Sequence, residues 1–167
     1  MLPLAPVLLA LSACSSRQPF FSSETDLSEV LTSEVDAATS TVHVAIYTFT
    51  HEGIANAMEN AALRGVEVQV VADRGQYDSA DNAMAPTLNR LIAGGVEVRL
   101  AGGLSAGGIL HHKFTVLDEG TVLTGSFNYT DFANTLHREN LLLLADPPLA
   151  AEFERVFSEI WDLAEAP

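Results

Sequence analysis

The chain has 167 residues, of which 48% are hydrophobic and 18% are charged, and its formal net charge is −14. This length and composition predict one globular domain, or one half of a larger symmetric assembly. A chain this acidic repels nucleic acid and anionic membranes on average, which excludes a general electrostatic attraction to polyanions and leaves any phosphate chemistry to a local site.

The first residues contain a short apolar run, Leu4–Leu11, which is too brief to span a membrane. Leu11-Ser12-Ala13-Cys14 resembles the lipobox of bacterial lipoprotein signals, in which the cysteine becomes the lipidated N-terminus, although no Lys or Arg precedes the apolar run. Ser15 resembles an outer-membrane sorting residue. The resemblance implies that residues 1–17 are a signal and the start of a linker, that residues 18–167 form the folded domain, and that Cys14 anchors a periplasmic lipoprotein to the bacterial outer membrane.

The rest of the chain alternates between the apolar periodicities of strands and helices. The predicted elements up to residue 100 are a helix opened by Ser22 and Ser23, a strand over 42–49, a helix over 51–64, a strand over 66–73, a loop over 74–85, a helix over 87–93 and a strand over 96–100. The later ones are a Gly-rich loop over 102–108, which is either a lid or a plain turn, a hairpin of 111–118 and 121–126, a strand over 140–145 and a helix starting at 146–147. This order predicts an α/β sandwich with a mixed central sheet flanked by helices.

Four polar side chains are predicted to meet where the two hairpin strands lie side by side. Residues two apart in a strand share a face, so His111 and Lys113 point one way, His112 points the other way, and Ser126 and Asn128 repeat the arrangement. The ammonium, hydroxyl and amide groups can donate hydrogen bonds to oxygen anions, which suits a phosphate. The imidazole is the one group there that can be both a nucleophile and a proton carrier near neutral pH.

The spacing His111-x-Lys113-x4-Asp118-x6-Gly125-Ser126-x-Asn128 matches, without a gap, the HKD motif of the phospholipase D superfamily. The resemblance extends over nearly the whole predicted domain, and the chain is most similar to small single-motif members, the Nuc-type endonucleases and the mitochondrial cardiolipin hydrolases. Tyr129 stands where many members carry tryptophan.

This resemblance implies a phospholipase D-like fold and a phosphodiesterase that acts through a covalent phosphohistidine, without a metal or other cofactor. His111 would be the nucleophile or the acid that protonates the leaving alcohol. Lys113 and Asn128 would bind the phosphoryl oxygens, with Ser126 in support, and Glu139 would hydrogen-bond the catalytic imidazole. Asp118 completes this implied catalytic set with a part more structural than chemical.

The substrate is left open at this point. A phospholipid, cleaved to phosphatidate and a free headgroup, is favoured by the acidity and the predicted lipid anchor; a nucleic acid is the alternative, and a non-catalytic phosphate-binding envelope lipoprotein is a third. Because the chain carries one copy of the motif, a homodimer with the active site at its interface is expected.

The other histidines have simpler interpretations. His43 and His112 are expected to be satisfied core residues, His51 a helix cap or surface residue, and His137 a surface-loop residue. Their spacings do not favour a zinc site.

Overall fold

A computed structural model describes residues 16–79 and 83–167 of the protein. The predicted lipobox with Cys14, and Ser15 after it, lie outside these residues. Seven strands form one sheet in the order β1-β7-β6-β5-β2-β3-β4. The strands are β1 (Ser16–Phe21), β2 (Thr41–Ile46), β3 (Glu67–Asp73), β4 (Glu97–Ala101), β5 (Lys113–Leu117), β6 (Thr121–Gly125) and β7 (Asn140–Ala145).

The sheet is mixed, as predicted. Strands β2, β3 and β4 are parallel to one another, because helices connect them, whereas β2–β5, β5–β6, β6–β7 and β1–β7 are antiparallel pairs. The helices are α1 (Leu27–Ala37), α2 (Glu52–Leu63), α3 (Arg74–Tyr77), α4 (Met84–Ala93), α5 (Asp131–Thr135) and α6 (Pro147–Leu163). None of the helices in the described part of the chain combines the length and the apolarity needed to cross a membrane.

Helices cover both faces of the sheet, so the predicted α/β sandwich is confirmed. On one face, α1, α2 and α4 bury the larger core, to which β2 contributes Val42, Val44 and Ile46. On the other face, α6 buries a smaller core that includes Phe157 and Phe114. The strands in the middle are buried on both faces, which explains their continuous apolar sequences.

Several observed elements differ from the predicted ones. Helix α1 begins at Leu27, because the Asp26 carboxylate caps it by accepting from the backbone N–H groups of Ser28 and Glu29 at 3.0 and 3.1 Å. A short helix, α3, follows β3 where a loop was predicted. Strand β1 was not predicted, and it includes Ser16 and Arg17, which the sequence pattern assigned to the segment before the domain.

Candidate active site

The HKD-motif residues His111, Lys113, Ser126 and Asn128 lie at the end of the sheet where parallel strands β2 and β3 finish. Lys113 pairs with Ile46, the last residue of β2, because β5 runs antiparallel to β2. Beyond β2, the backbone N–H groups of Thr50 and His51 donate to the carbonyl oxygen of Tyr129, so the segments after β2 and β6 stay together. This end of an α/β sheet is where such folds bind ligands.

His111 and Lys113 share one face, and the ring of Tyr47 lies beside both. The centroids of the Tyr47 and His111 rings are 4.7 Å apart in an edge-to-face arrangement, and Lys113 Nζ lies 5.4 Å from the Tyr47 centroid. Lys113 Nζ also donates to the His111 carbonyl oxygen at 3.0 Å. Burial lowers the pKa of Lys113, and the nearby Glu139 carboxylate opposes this effect. The His111 imidazole itself is exposed and precedes β5 by two residues.

Ser126 is occupied by protein partners. Its hydroxyl group donates to the Glu139 carboxylate and accepts from the backbone and side-chain N–H groups of Asn140 at 3.1 and 3.3 Å. A hydroxyl group has one proton to donate, so Ser126 has none left for a phosphate oxygen. The phosphate-binding role of Ser126 stays a prediction, and the observed contacts link its hydroxyl group to Glu139 and to the start of β7.

Gly125 makes this arrangement possible. A Cβ atom at this position would collide with the carbonyl oxygen of Asn140, so only glycine allows the end of β6 to approach the start of β7 this closely.

Glu139 lies at the site but contacts partners other than the predicted one. Among the described residues, its carboxylate accepts from Ser126 and lies 3.8 Å from His137 Nδ1, and the expected hydrogen bond to His111 is not formed. The reason is the position of His111, which lies against Tyr47 instead. Ser22, after β1, holds the segment that carries Glu139: its hydroxyl group donates to the His137 carbonyl and accepts from the Glu139 N–H, both at 2.8 Å.

Asn128 follows β6 on the same side as Ser126. Its side-chain oxygen is buried and, within the part of the chain that the structure describes, has no hydrogen-bond partner. Two other buried side-chain atoms of the described residues are also unpaired, His43 Nε2 and Glu154 Oε2, and they lie between β2 and α6.

Asp118 does not lie at the site. It follows the opposite end of β5, one strand length away from His111, so it is not a member of the catalytic cluster. Its carboxylate accepts from the backbone N–H groups of Thr39, Ser40 and Thr41 at 2.8 to 3.2 Å and from the hydroxyl groups of Thr39 and Ser40 at 2.9 Å. Burial alone would raise the pKa of Asp118, but these hydrogen bonds outweigh burial and hold the pKa well below its usual value. These contacts tie the β5–β6 turn to the start of β2.

Two further residues support the site and were not predicted. Tyr47 follows the buried strand β2, and an aromatic residue at the end of a central parallel strand is the signal that could have identified it. Asp73 ends β3, is 1% exposed, and accepts from the backbone N–H groups of Gln76 and Leu110, both at 2.8 Å. The Leu110 bond holds the residue directly before His111.

Three of the four other histidines lie where the sequence predicted them. His43 is buried, as predicted, between β2 and α6. His51 is the N-cap of α2, also as predicted, and accepts from the Ile54 N–H at 3.2 Å. His137 is exposed in a loop, as predicted.

His112 is the exception. It is exposed rather than a core residue, because it precedes β5 and only the edge of its ring reaches Phe114. Partial burial of the ring and the positive charge of Lys113 lower the pKa of His112. Across residues 16–79 and 83–167, no group of three or more His, Cys, Asp or Glu side chains is arranged to hold a metal ion.

Comparison with known proteins places this geometry in a family. The family described as "Cardiolipin synthase, PLD-like domain" matches residues 31–161. The mitochondrial cardiolipin hydrolase of Xenopus tropicalis is 30% identical over 158 residues, which are 95% of this chain and 70% of that protein. The enzyme of that name from Chlamydomonas reinhardtii is 30% identical over 127 residues, which are 76% of this chain and 54% of that protein. The chain thus spans between about half and about seven tenths of the length of these two relatives.

Two solved structures are similar over almost their full length. Nuc from Salmonella typhimurium, a phospholipase D family member, superposes with a TM-score of 0.83 at 30% identity, over 90% of this chain and 97% of that one. NucT from Helicobacter pylori gives a TM-score of 0.82 at 25% identity, over 92% and 99% of the two chains. The chain, with an ungapped motif that brings His111, Lys113, Ser126 and Asn128 to one end of a mixed sheet, belongs to the phospholipase D superfamily, among the small members that carry a single HKD motif.

Proposed function

We propose that this protein is a metal-independent phosphodiesterase that cleaves phospholipids through a covalent phosphohistidine on His111. The observation that carries the proposal is the exposed His111 imidazole held next to the Lys113 ammonium group by their shared contact with Tyr47. An accessible nucleophile beside a fixed cation is what attack on a phosphodiester requires. The two relatives named mitochondrial cardiolipin hydrolase support the same conclusion.

The reaction has two steps. In the first, an imidazole nitrogen of His111 attacks phosphorus, a P–N bond forms, the P–O bond to the leaving alcohol breaks, and an acid protonates the leaving oxygen. In the second, water attacks phosphorus, the P–N bond breaks, and the water proton passes to the group that had acted as the acid. Lys113 and the Asn128 amide stabilise the negative charge that builds up on the phosphoryl oxygens.

The charge distribution favours a phospholipid over a nucleic acid. The chain has eight basic residues, of which Lys113 is the one lysine and seven are arginines. Five of the arginines are paired with carboxylates: Arg17, Arg64, Arg74, Arg90 and Arg155. Paired cations contribute little to binding a polyanionic strand, which depends on free Lys and Arg along its path.

Turnover of different substrates in EDTA tests the proposal. Purified protein and its His111→Ala variant are offered phosphatidylcholine, cardiolipin, single-stranded DNA and RNA. We expect wild-type cleavage of phospholipid to phosphatidate and headgroup, and no turnover by the variant. Cleavage of DNA or RNA alone would make the protein an endonuclease with the same mechanism, and binding of phosphate without any cleavage would make it a binding protein. Loss of activity in EDTA with recovery on adding zinc would contradict the mechanism.

We also propose that the active unit is a homodimer with the site at its interface. The two steps need a second imidazole as acid, and this chain carries one copy of the motif. The exposed side chains of Phe132 and Leu136, in and just after α5, support an interface on this side of the molecule. A purified dimer of one wild-type and one His111→Ala chain is expected to be almost inactive. Half the wild-type rate, or a fully active monomer, would refute the shared site.

A lipid anchor at Cys14 is the third part of the proposal. The support is the lipobox-like sequence Leu11-Ser12-Ala13-Cys14, and an anchored enzyme would meet phospholipid at high local concentration. Mass spectrometry of the protein from bacterial membranes is expected to show a lipidated Cys14 at the mature N-terminus. An unmodified chain that retains Met1 would contradict this.

A further inference from the structure

A cavity of about 700 Å³ lies next to His111, between the loop after β4 and the end of α6. Ligand pockets for small molecules commonly have volumes of about 300–1,000 Å³ and apolar walls. The large apolar residues that line this one are Leu100, Leu104, Ile109, Leu110, Ile160 and Leu163.

Backbone contacts form the walls of the cavity. On one side, Glu165 and Leu100 exchange backbone hydrogen bonds of 2.7 and 3.0 Å, which tie the residues after α6 to the edge strand β4. On the other side, Gly102 pairs with Ile109, and Gly103 lies so close to Gly108 that an added Cβ atom would come within 2.6 Å of its carbonyl carbon. The cavity is therefore formed by the fold before any ligand arrives.

The rim of the cavity exposes large apolar side chains. Leu104, Ile109 and Leu163 are 109, 49 and 84% exposed, and they are three of the eight large hydrophobic residues that the described part of the chain leaves exposed. Their concentration at one concave surface is typical of a site for an apolar ligand.

The lining of the cavity does not favour a polyanionic occupant. Its charged lining residues, Arg74 and Glu165, form an ion pair of 2.9 Å, and its lining includes no Phe, Tyr or Trp on which a base could stack. His111 and His112 also line the cavity, so its apolar walls adjoin the proposed nucleophile.

We propose that this cavity binds an acyl chain of the phospholipid whose phosphodiester reaches His111. This inference rests on the proposed function, and it assigns the selectivity for lipid to this cavity. Each methylene group that enters an apolar site raises affinity by up to about fourfold. Affinity for phosphate monoesters should therefore rise with the length of their alkyl chain.

Calorimetric titration with butyl, hexyl and octyl phosphate tests this without requiring turnover. We expect octyl phosphate to bind wild-type protein at least about tenfold more tightly than butyl phosphate. This gain is well below the upper limit, which is about fourfold for each of the four additional methylene groups. In Leu163→Gln and Leu104→Gln, which place a polar amide at the rim, this gain should be largely lost. Leu63→Gln is the matched control, because Leu63 also ends a helix and is 80% exposed, but lies on α2 outside the cavity.

Equal binding of butyl and octyl phosphate to wild-type protein would overturn the acyl-chain site, as would an unchanged chain-length gain in both rim variants. Hydrolysis of bis(para-nitrophenyl) phosphate, measured in parallel, reports on the proposed function separately. Turnover of this diester without a chain-length gain would refute the acyl-chain site alone, and a chain-length gain without turnover would refute the proposed function alone. Chain-length-independent binding together with cleavage of single-stranded DNA would identify a nuclease.

Discussion

Ser126 donates its hydroxyl proton to the Glu139 carboxylate, and the two side chains form one hydrogen-bonded unit beside Lys113. Because Asn140 also donates twice to the Ser126 oxygen, the serine is held in place by β7 and in turn orients the glutamate. We therefore expect Ser126 to act as a positioning residue that orients the Glu139 carboxylate at the site.

A double-mutant cycle tests this unit. A hydrogen bond to a charged group contributes about 1.5–3 kcal/mol, which corresponds to a change in rate of about 10–100-fold if it is lost in the transition state. We expect Ser126→Ala and Glu139→Gln each to lower kcat by that order, and the double variant to be about as active as the slower single variant, because both changes break the same interaction. Rate losses that multiply would show that the two residues act independently.

The Asp73–Leu110 hydrogen bond predicts that Asp73 affects both stability and activity, although its side chain is not one of the predicted phosphate ligands. Asp73 is buried and accepts from two backbone N–H groups, and a hydrogen bond to a charged group contributes about 1.5–3 kcal/mol. Asp73→Ala should lower the free energy of unfolding in urea by several kcal/mol, and Asp73→Asn should lower kcat in the folded protein by displacing His111. The exposed Asp78→Ala is the control. Wild-type kcat in Asp73→Asn would argue against positioning of His111.

Asp118 should affect stability and not catalysis. We expect Asp118→Asn to lower the free energy of unfolding by about 1 kcal/mol or more, the contribution of one typical hydrogen bond, with kcat of the folded protein unchanged. The folded-state pKa is lowered from 3.8, so the stabilisation is present above pH 3.8 and is lost as the pH falls toward the lowered pKa. Thermal unfolding of both proteins against pH measures this. If the difference in stability between wild type and Asp118→Asn were undiminished at the lowest pH, the stabilising role of the Asp118 carboxylate would be contradicted.

His43 couples pH to the docking of α6. Its Nδ1 lies 2.5 Å from Glu154 Oε1, its Nε2 lies 3.6 Å from Glu67 Oε1, and its ring stacks on Phe157 with centroids 4.8 Å apart. Burial opposes protonation, but the hydrogen bond and charge of Glu154, with those of Glu67, outweigh it and raise the pKa of His43 above 6.5.

Because the folded-state pKa is raised, the stabilisation is complete below pH 6.5 and is lost as the pH rises through the raised value. We expect the Tm of wild-type protein to fall over that interval relative to Glu154→Gln. At this size 1 kcal/mol shifts Tm by about 2–4 °C, which is measurable. Glu152→Gln, an exposed change on the same helix, should behave like wild type. If the Tm of wild type and the Tm of Glu154→Gln changed with pH in the same way, the coupling would be contradicted.

Sequence patterns predicted the central elements because those elements carry strong local signals. The buried strands β2 and β3 are continuous apolar runs, and α6 begins at Asp146-Pro147, where the Asp146 side chain caps the Leu149 N–H. Strand β1 was missed because SRQPFF has little apolar character, contains a proline, and forms a strand only by pairing with β7 at the sheet edge.

The site was predictable to the extent that its residues are close in sequence. The spacing of His111, Lys113, Ser126 and Asn128 follows from the alternation of two neighbouring strands, and the structure brings this group to one end of the sheet. The partners of Ser126 and the supporting residues Tyr47 and Asp73 depend on contacts between segments far apart in sequence. Periodicity carries no information on such contacts, so no pattern within the hairpin could predict them.

Trapping of a covalent adduct tests the central claim most directly. Wild-type protein is mixed with bis(para-nitrophenyl) phosphate in EDTA, quenched in alkaline denaturant during turnover, digested, and analysed by mass spectrometry. The proposed mechanism predicts a burst of nitrophenolate and a nitrophenyl phosphoryl adduct on His111, with neither in His111→Ala. Steady turnover by an enzyme that remains unmodified at His111, or an adduct on another residue, would contradict it.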